Sequence, residues 1–548
     1  MNKYRKCLKL PSKISEYCTK FFKKQNIGIT FKHTLLMMNV KISGTKASEF
    51  KPHWIKKIFY CLLISGFILG LSGGVIGYNI LDGGVCECGL NNSEDACVDC
   101  NSTLNDAQCT NVFLNKSITN YNETCIYDYG NFNNKIFDCK GNTISGNISA
   151  EDISGIYLFE QSGNTIKNCV IQNFDYGINL YSASGNTLLN NTLNSGTYGI
   201  YMYTSADNNL TGNTLNMNLY GIYLESISIV KPSSNNLLRN NSMNNNTYNF
   251  NMDGYDISDY YQDIDTSNMV DGKPVYYLTD TTNAEIPGDA GFVGLISCDN
   301  ITVKDLNLSK NFYGILLMNT TNSKIINNTV HSNEMGIYLE NSPENKLVNN
   351  TMKGNTFNFN VLGSDVLHYQ QDIDTSNTVE GKPIYYRTYN YSAEIPPDAG
   401  FVGLVSCKNI TVENLNLSKN SQGILIVNTT NSSIFNNTVH SNIFGIFIYS
   451  SEDNEMRNNT MFNNLYNFNV VGSEVSYYHH DVDTTNTVDG NPIYYLIGNS
   501  SAEIPSNAGF VALISCDNIT VENLNIHNNF QGVLLVDTVN TRILNNSL

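Results

Sequence analysis

A 109-residue unit occurs three times in this chain, and shorter 22-residue units are nested within and beside it. The marker YYQDIDTSN begins at Tyr260, returns as YQQDIDTSN at Tyr369, and returns again as YHHDVDTTN at Tyr478. AGFVGLISC at Ala290, AGFVGLVSC at Ala399 and AGFVALISC at Ala508 keep the same interval. A Gly-Ile step marks the shorter interval, at Gly155, Gly177, Gly199 and Gly221, then at Gly314 and Gly336, then at Gly423 and Gly445. Self-similarity at a fixed short period requires a solenoid of stacked coils rather than a compact globule.

One unit reads TYGIYMYTSADNNLTGNTLNMN from Thr197. Its apolar residues alternate in short runs (Ile200 and Met202, then Leu210, then Leu215), which is strand periodicity. Asn, Gly, Ser and Asp fill the gaps, and these residues tolerate turn and left-handed backbone. No stretch after Asn91 has the pattern of an amphipathic helix. The unit is therefore one coil of an all-β parallel β-helix. Five such coils fit the 109-residue unit. Stacked about 4.8 Å apart, roughly nineteen coils from Cys125 to Leu548 make a rod on the order of 90 Å. Asn164, Asn186 and Asn208 fall in one column and Asn191 and Asn213 in another, so their amides are expected to bond along the stack. Val303, Leu306, Leu308 and Asn311 spell a leucine-rich-repeat signature, but it appears once per super-repeat and a horseshoe needs it in every coil.

Residues 1–57 carry fourteen Lys or Arg against Glu16 and Glu49, whereas the whole chain has a net charge of −17. Between the basic and acidic parts, Ile58 to Leu81 is an uncharged stretch long enough for a membrane helix. The sequence thus predicts a cytoplasmic tail (1–57), a transmembrane signal anchor (58–81), a Cys-rich stalk or cap (82–124) and an extracellular β-helix (125–548). The three super-repeats start at about residue 250. A cleaved signal peptide is the competing reading of the apolar stretch. The membrane and, through the basic tail, its anionic lipids are expected partners; nothing beyond charge suggests nucleic acid.

Eight cysteines lie between Cys86 and Cys169, an even, dense cluster that reads as a disulfide framework in an oxidising compartment. CEC-x8-CVDC also has zinc-ligand character. Cys125 and Cys139 are the expected pair at the first coil. Cys298, Cys407 and Cys516 stand one super-repeat apart, too distant to bridge one another, and should be buried at a coil corner. About two dozen Asn-x-Ser/Thr sequons, among them Asn300, Asn307, Asn409, Asn416 and Asn518, make a glycoprotein possible.

The candidate binding residues all belong to the super-repeat. Asp263 and Asp265, Asp372 and Asp374, and Asp481 and Asp483 form Asp-x-Asp pairs whose side chains share one face of a strand. Each pair could hold Ca²⁺ weakly, meet a sugar, or anchor the longer loop. Three equivalent copies speak against catalysis, which needs one site, so no catalytic residue and no other cofactor is assigned. His479 and His480 replace Gln or Tyr of the other copies and read as surface substitutions. In the pairs Tyr276 and Tyr277, Tyr385 and Tyr386, and Tyr494 and Tyr495 one ring faces in and one out. Tyr276, Tyr385 and Tyr494 are then sugar-stacking candidates.

The GIYLxxSxxNxxxNNT coils, together with SNTVxGKPIYY and AGFVGLVSCxNITVxNLNL, resemble the NosD-like right-handed parallel β-helix proteins, also described as carbohydrate-binding and sugar-hydrolase repeats. The GKPxYY unit resembles the version found in large archaeal cell-surface proteins. TCIYDYGNFNNKIFDCKGNTISG, at Thr124–Gly146, is similar to their opening coil. The resemblance covers Thr124 to Leu548 and implies the fold. NosD itself is associated with copper-site maturation, and no Cys, Met or His copper site stands out here. The expectation is a membrane-anchored extracellular β-helix that binds glycans or other envelope polymers. A glycoside hydrolase or polysaccharide lyase is the alternative, and a structural stalk the third. The chain stops in mid-coil at Asn545-Asn546-Ser547-Leu548, which suggests a fragment or an end that docks a second copy.

Overall fold

The computed structural model describes residues 28–30, 41–43, 80–81, 84–89, 93–127, 132–147, 152–227 and 232–548. The chain divides into two units, Met1–Gly77 and Tyr78–Leu548. In the first unit the described residues are two antiparallel strands, Gly28–Thr30 and Lys41–Ser43. The expected membrane span lies outside the described residues except for its end, where Ile80–Leu81 is a strand antiparallel to Val85 and Cys86. Among the described residues no helix is long and apolar enough to cross a membrane.

The second unit is a right-handed-type parallel β-solenoid of about 20 turns. Each regular coil has one long strand and two short ones, as in Tyr198–Tyr203, Asn209–Thr211 and Thr214–Asn216. Each strand pairs in register with its equivalent one coil on: Ile200 opposes Ile178 and Ile222, and Leu215 opposes Leu193 and Met243. The apolar residues of these ladders fill the interior without exposure. Asn serves the coil twice. At the outer corners Asn168, Asn190 and Asn240 adopt left-handed backbone, which Asn tolerates better than other non-glycine residues. Inside, Asn186 Oδ1 accepts the Asn164 N–H, Asn208 Oδ1 the Asn186 N–H, and Asn236 Oδ1 the Asn208 N–H. A second column runs Cys169, Asn191, Asn213, Asn241 and Asn268 in the same way. These amides satisfy corner N–H groups that the strands leave over. The Gly of each Gly-Ile step is required sterically: a Cβ on Gly199 would lie 2.6 Å from Leu215 Cδ2 and 2.7 Å from the Gly221 carbonyl.

The 109-residue period has its own structural event. At Met269–Val270 the chain turns through Asp271 and Gly272, both at positive φ, and Lys273 pairs antiparallel with Val270. Two central residues with φ > 0 are the requirement of a type I′ hairpin. The same turn recurs at Glu380-Gly381 and Asp489-Gly490. After it, Lys273–Thr279 starts a new column of long strands, continued by Phe292–Ile296, Tyr313–Met318, Met335–Glu340 and Phe357–Leu362. The last short-strand column of one block thus becomes the long-strand column of the next. The preceding long column ends at Tyr248–Asp253, whose backbone is met by Lys310 and Phe312 of the next block.

Two expectations are corrected at the N-terminal end. Ser93–Asn105 is an α-helix. Its sequence lacks an apolar stripe because disulfides hold it: Cys88–Cys100 and Cys97–Cys125 fix it to the first strands, and Cys86–Cys109 closes the loop behind it. The pairing Cys125–Cys139 does not form. Cys125 faces the helix and bonds Cys97 with Cα atoms 5.0 Å apart, while Cys139 lies under Cys169 of the next coil at 4.7 Å. Neighbouring coils bring equivalent positions to about this spacing, so stacked cysteines are the ones in reach. Cys298, Cys407 and Cys516 are free and buried. Parallel stacking reaches back through Asn111–Leu114 to Val85–Cys88.

Candidate functional site

The outer face of the first long-strand sheet is aromatic. Tyr176, Tyr198, Tyr220 and Tyr248 occupy one position on successive coils, with ring centroids 5.0, 5.1 and 5.4 Å apart and near-parallel planes. Tyr157, Tyr201 and Tyr223 stand on the same face further along the strands, and Phe159, Tyr181 and Tyr203 beyond them. The Tyr201 hydroxyl donates to Glu225 at 2.6 Å, and the Tyr248 hydroxyl to Glu334 of the next block at 2.5 Å. The tyrosine rings are half-buried, each covered by its neighbours along the column and open to solvent at the rim, and Phe159 is exposed. Burial raises Tyr198 and Tyr248 to about 12, with neighbouring tyrosines and acids adding to the rise, so both hydroxyls stay neutral.

At its C-terminal end this face runs into the next block. Phe312 lies against Tyr220, Tyr223 and Tyr248, and Tyr313 packs against Tyr338 at 4.9 Å. Tyr313, Leu316 and Met318, on the outer side of the second column, join the apolar core of the first block, while Ile315 and Leu317 form the next core. The two blocks therefore meet along a junction, and three carboxylates gather in it. Glu225 and Asp253 are cross-strand neighbours, and Glu340 comes from the second block, its Oε2 accepting the Tyr338 hydroxyl at 2.7 Å. Asp253 is solvent-exposed, yet crowding by the walls lifts its carboxyl to about 6, with Glu225 and Glu340 adding repulsion. Water tempers that rise, and its direction follows from the walls and the two carboxylates beside it. Burial likewise raises Glu340. Tyr260, Tyr313 and Tyr338 are pushed above the ordinary tyrosine range by burial, with Asp253 and Glu340 adding to it.

This cluster occurs once. In register, Asp253 corresponds to Leu362 and Val471, and Glu340 to Tyr449. At the second junction Leu425, Val427 and Phe447 seal the contact with apolar side chains. The sequence signal was a break in the repeat, invisible to a search for what recurs.

The residues singled out from the super-repeat lie elsewhere and are largely engaged. Arg239 from the preceding coil reaches Asp263 at 2.5 Å and Asp265 at 3.1 Å, and Arg457 does the same for Asp481 and Asp483 at 2.5 and 3.2 Å. In the second copy Lys346 takes Asp372 at 2.6 Å. Asp265, Asp374 and Asp483 each accept the backbone N–H two residues on, anchoring the turn. The space between each Asp pair is thus met by a side chain of the protein in two copies. A polar cleft of about 440 Å³ opens beside Asp372, lined by Gln370, Arg387 and Asn390. Tyr276, Tyr385 and Tyr494 bond Asp289, Asp398 and Asn507, and the Arg387 guanidinium covers the Tyr385 ring. His480 is not on the surface. It is 2 % exposed and takes the place in the inner Asn column that Gln262 and Gln371 hold in the other copies.

The sequence matches the family described as "Periplasmic copper-binding protein (NosD)" over residues 86–277, 267–384 and 398–500, more than half of the chain. The chain belongs to the NosD family. No curated protein matches it. Among solved structures it is similar to the periplasmic alginate epimerase AlgG (11% identity, 86% of this chain and 79% of that one, TM-score 0.16). It is also similar to the A-module of the Azotobacter vinelandii mannuronan C-5 epimerase AlgE4 (11%, 84% and 95%, 0.16). A third is a tailspike protein of E. coli bacteriophage HK620 in complex with a pentasaccharide (10%, 83% and 77%, 0.24). At these scores the likenesses carry no argument about activity. The described residues do not fit a copper centre. Among them no group of three or more His, Cys, Asp or Glu is placed to hold a metal ion. The three free thiols are buried in separate blocks, and His331 and His440 are each bonded to an Asn of the preceding coil.

Proposed function

We propose that this member of the NosD family binds polysaccharide along the outer face of its first long-strand sheet, outside the cytoplasmic membrane, with the apolar stretch that begins at Ile58 and ends before the strand Ile80–Leu81 as the anchor. The observation that carries the reading is the tyrosine column Tyr176–Tyr198–Tyr220–Tyr248 with Tyr201 and Tyr223 beside it. Aromatic faces pack against the C–H faces of sugar rings, and neutral hydroxyls at the rim supply hydrogen bonds. Such a row, repeated at the coil spacing, favours an extended polymer over a small molecule. The four disulfides fit an oxidising compartment. A glycan array with the intact protein tests the reading. Polysaccharide binding that falls at least about tenfold in Tyr198→Ala and Tyr220→Ala is expected, a loss of about 1.4 kcal/mol or more. Binding lost instead in Tyr276→Ala, Tyr385→Ala or Tyr494→Ala would move the site to the super-repeat.

A second reading, cleavage of the bound polymer, is favoured by Asp253, whose carboxyl is held at about 6 beside two further carboxylates. A raised acid next to an ionised one is the arrangement that glycoside hydrolysis uses. Release of oligosaccharide, abolished in Asp253→Asn, would establish it.

A further inference from the structure

The first junction breaks a rule that the other two keep. Where Leu362 and Val471 stand in the later blocks, the first carries Asp253, and where Tyr449 stands in the second, the first carries Glu340. Placing three like charges together costs stability, and the same geometry closes without them one block further on. Among the described residues no Lys, Arg or His forms an ion pair with Glu225, Asp253 or Glu340. Lys310, whose backbone docks on the strand that carries Asp253, pairs with Asp271 at 3.7 Å instead. Among the described residues this negative charge therefore has no counter-charge.

A second feature points into the same space. Asn251 lies two residues from Asp253 on the same side of the strand, opposite Tyr223. It is fully buried, and neither its Oδ1 nor its Nδ2 has a hydrogen-bond partner. At the second junction the equivalent Asn360 accepts from Gln422 Nε2 at 3.0 Å, leaving only its Nδ2 unpaired, and the first junction has Tyr313 where that glutamine stands. Asn469 of the third block is also unpaired, but beside Val471 rather than a carboxylate. An orphaned buried amide costs about 1–3 kcal/mol and calls for a partner that the described residues do not supply. The walls around these groups are the rings of Tyr223, Tyr313 and Tyr338. Aromatic faces next to carboxylates are what an organic cation needs, since the rings attract it and carboxylates neutralise it. A metal ion is a poorer match, because these carboxylates do not converge closely enough to ligate one.

We propose that the junction of Glu225, Asp253 and Glu340 with Tyr223, Tyr313 and Tyr338 binds an organic ammonium group, supplied by an amino sugar of the bound glycan. The site stands on its own geometry; only the source of the ammonium group rests on the glycan reading. Asp253, held near 6 when the site is empty of charge partners, is then a group that the incoming cation ionises.

Isothermal titration of the intact protein at pH 6.0, where amino-sugar amines are charged and Asp253 is part-protonated, separates the cases, with three probes: a glucosamine tetramer, the N-acetylglucosamine tetramer and spermidine. The expected result is at least tenfold tighter binding of the free-amine tetramer than of the acetylated one. Asp253→Asn and Glu340→Gln should each erase that preference by weakening the free-amine tetramer to the level of the acetylated one. Asp253→Leu, which copies the second junction, guards against a folding failure and should behave the same way. Spermidine binding without either tetramer would support the ammonium site and overturn the glycan source. Equal affinity for the two tetramers in the native protein, unaltered by Asp253→Asn, would overturn the ammonium site and leave the glycan reading standing. No binding of any probe would overturn the site.

Discussion

His480→Gln should stabilise the third block and do so increasingly as the pH falls. In the first two copies the equivalent residue is Gln. Gln371 Oε1 accepts the Asn345 N–H at 3.0 Å, and its Nε2 donates to Ser342 and His368 carbonyls at 2.6 and 3.0 Å. His480 replaces these with a long bond, from the Asn454 N–H to Nδ1 at 3.4 Å, and an approach to the Tyr477 backbone that falls short of ordinary hydrogen-bond geometry at Nε2. Restoring two ordinary hydrogen bonds is worth about 2 kcal/mol at neutral pH. The acid-dependent part follows from burial, which holds the imidazole at about 4 against an ordinary 6.5. Above pH 6.5 neither folded nor unfolded chain protonates this ring, and nothing is lost. Between 6.5 and about 4 the unfolded chain takes up a proton that the folded one refuses, so stability falls with pH. Below 4 both forms are protonated and the loss levels at about 3 kcal/mol. The gap between variant and native protein should therefore grow from about 2 kcal/mol at pH 7.5 to about 5 kcal/mol near pH 4. The effect is local to one coil of a long stack, so the most direct measurement is amide hydrogen exchange on the coil from Ser451 to Asn486, corrected for intrinsic rates. Carboxylates common to both proteins cancel in the difference. A gap that stays constant across this pH range would refute the argument.

Other outcomes can be checked with simpler means. Asn213→Ala leaves the Asn191 N–H and the Leu188 carbonyl unpaired in the interior and should cost about 2–4 kcal/mol in denaturant unfolding; a change under about 0.5 kcal/mol would mean water replaces the amide. Non-reducing peptide mapping should recover Cys139 joined to Cys169 and Cys97 joined to Cys125, and a Cys125–Cys139 peptide would contradict the coil register. Replacing Cys139 and Cys169 by Ser should cost about 3–4 kcal/mol for a loop of this length, read in the protection of the first coils. Asp253→Leu should raise the thermal midpoint as it removes the ammonium preference, the usual exchange of function for stability; a lowered midpoint would show that the carboxylate is structural.

The coil was legible because its causes are local and repeated. Alternating Ile200 and Met202, the Gly at 22-residue spacing and the Asn columns each state one requirement many times. The helix Ser93–Asn105 was not legible, since covalent bonds replace the apolar stripe that marks a helix in sequence. His480 was misread for a related reason: a polar residue inside a solenoid is ordinary when it fills a hydrogen-bonding column, but nothing in its immediate neighbours reveals the column. The junction was hidden most deeply. Glu225, Asp253 and Glu340 are far apart in the chain, and only the hairpin at Asp271-Gly272 brings the third beside the other two.

That hairpin also separates two kinds of length change. Removing one regular 22-residue coil leaves every remaining strand with an equivalent neighbour, so the ladder closes over the gap. Removing the turn at Asp271-Gly272, Glu380-Gly381 or Asp489-Gly490 instead leaves the following long strands with no column to enter. Single coils can thus be gained or lost within a block, whereas new faces and new junctions arrive only by copying a whole 109-residue block with its turn.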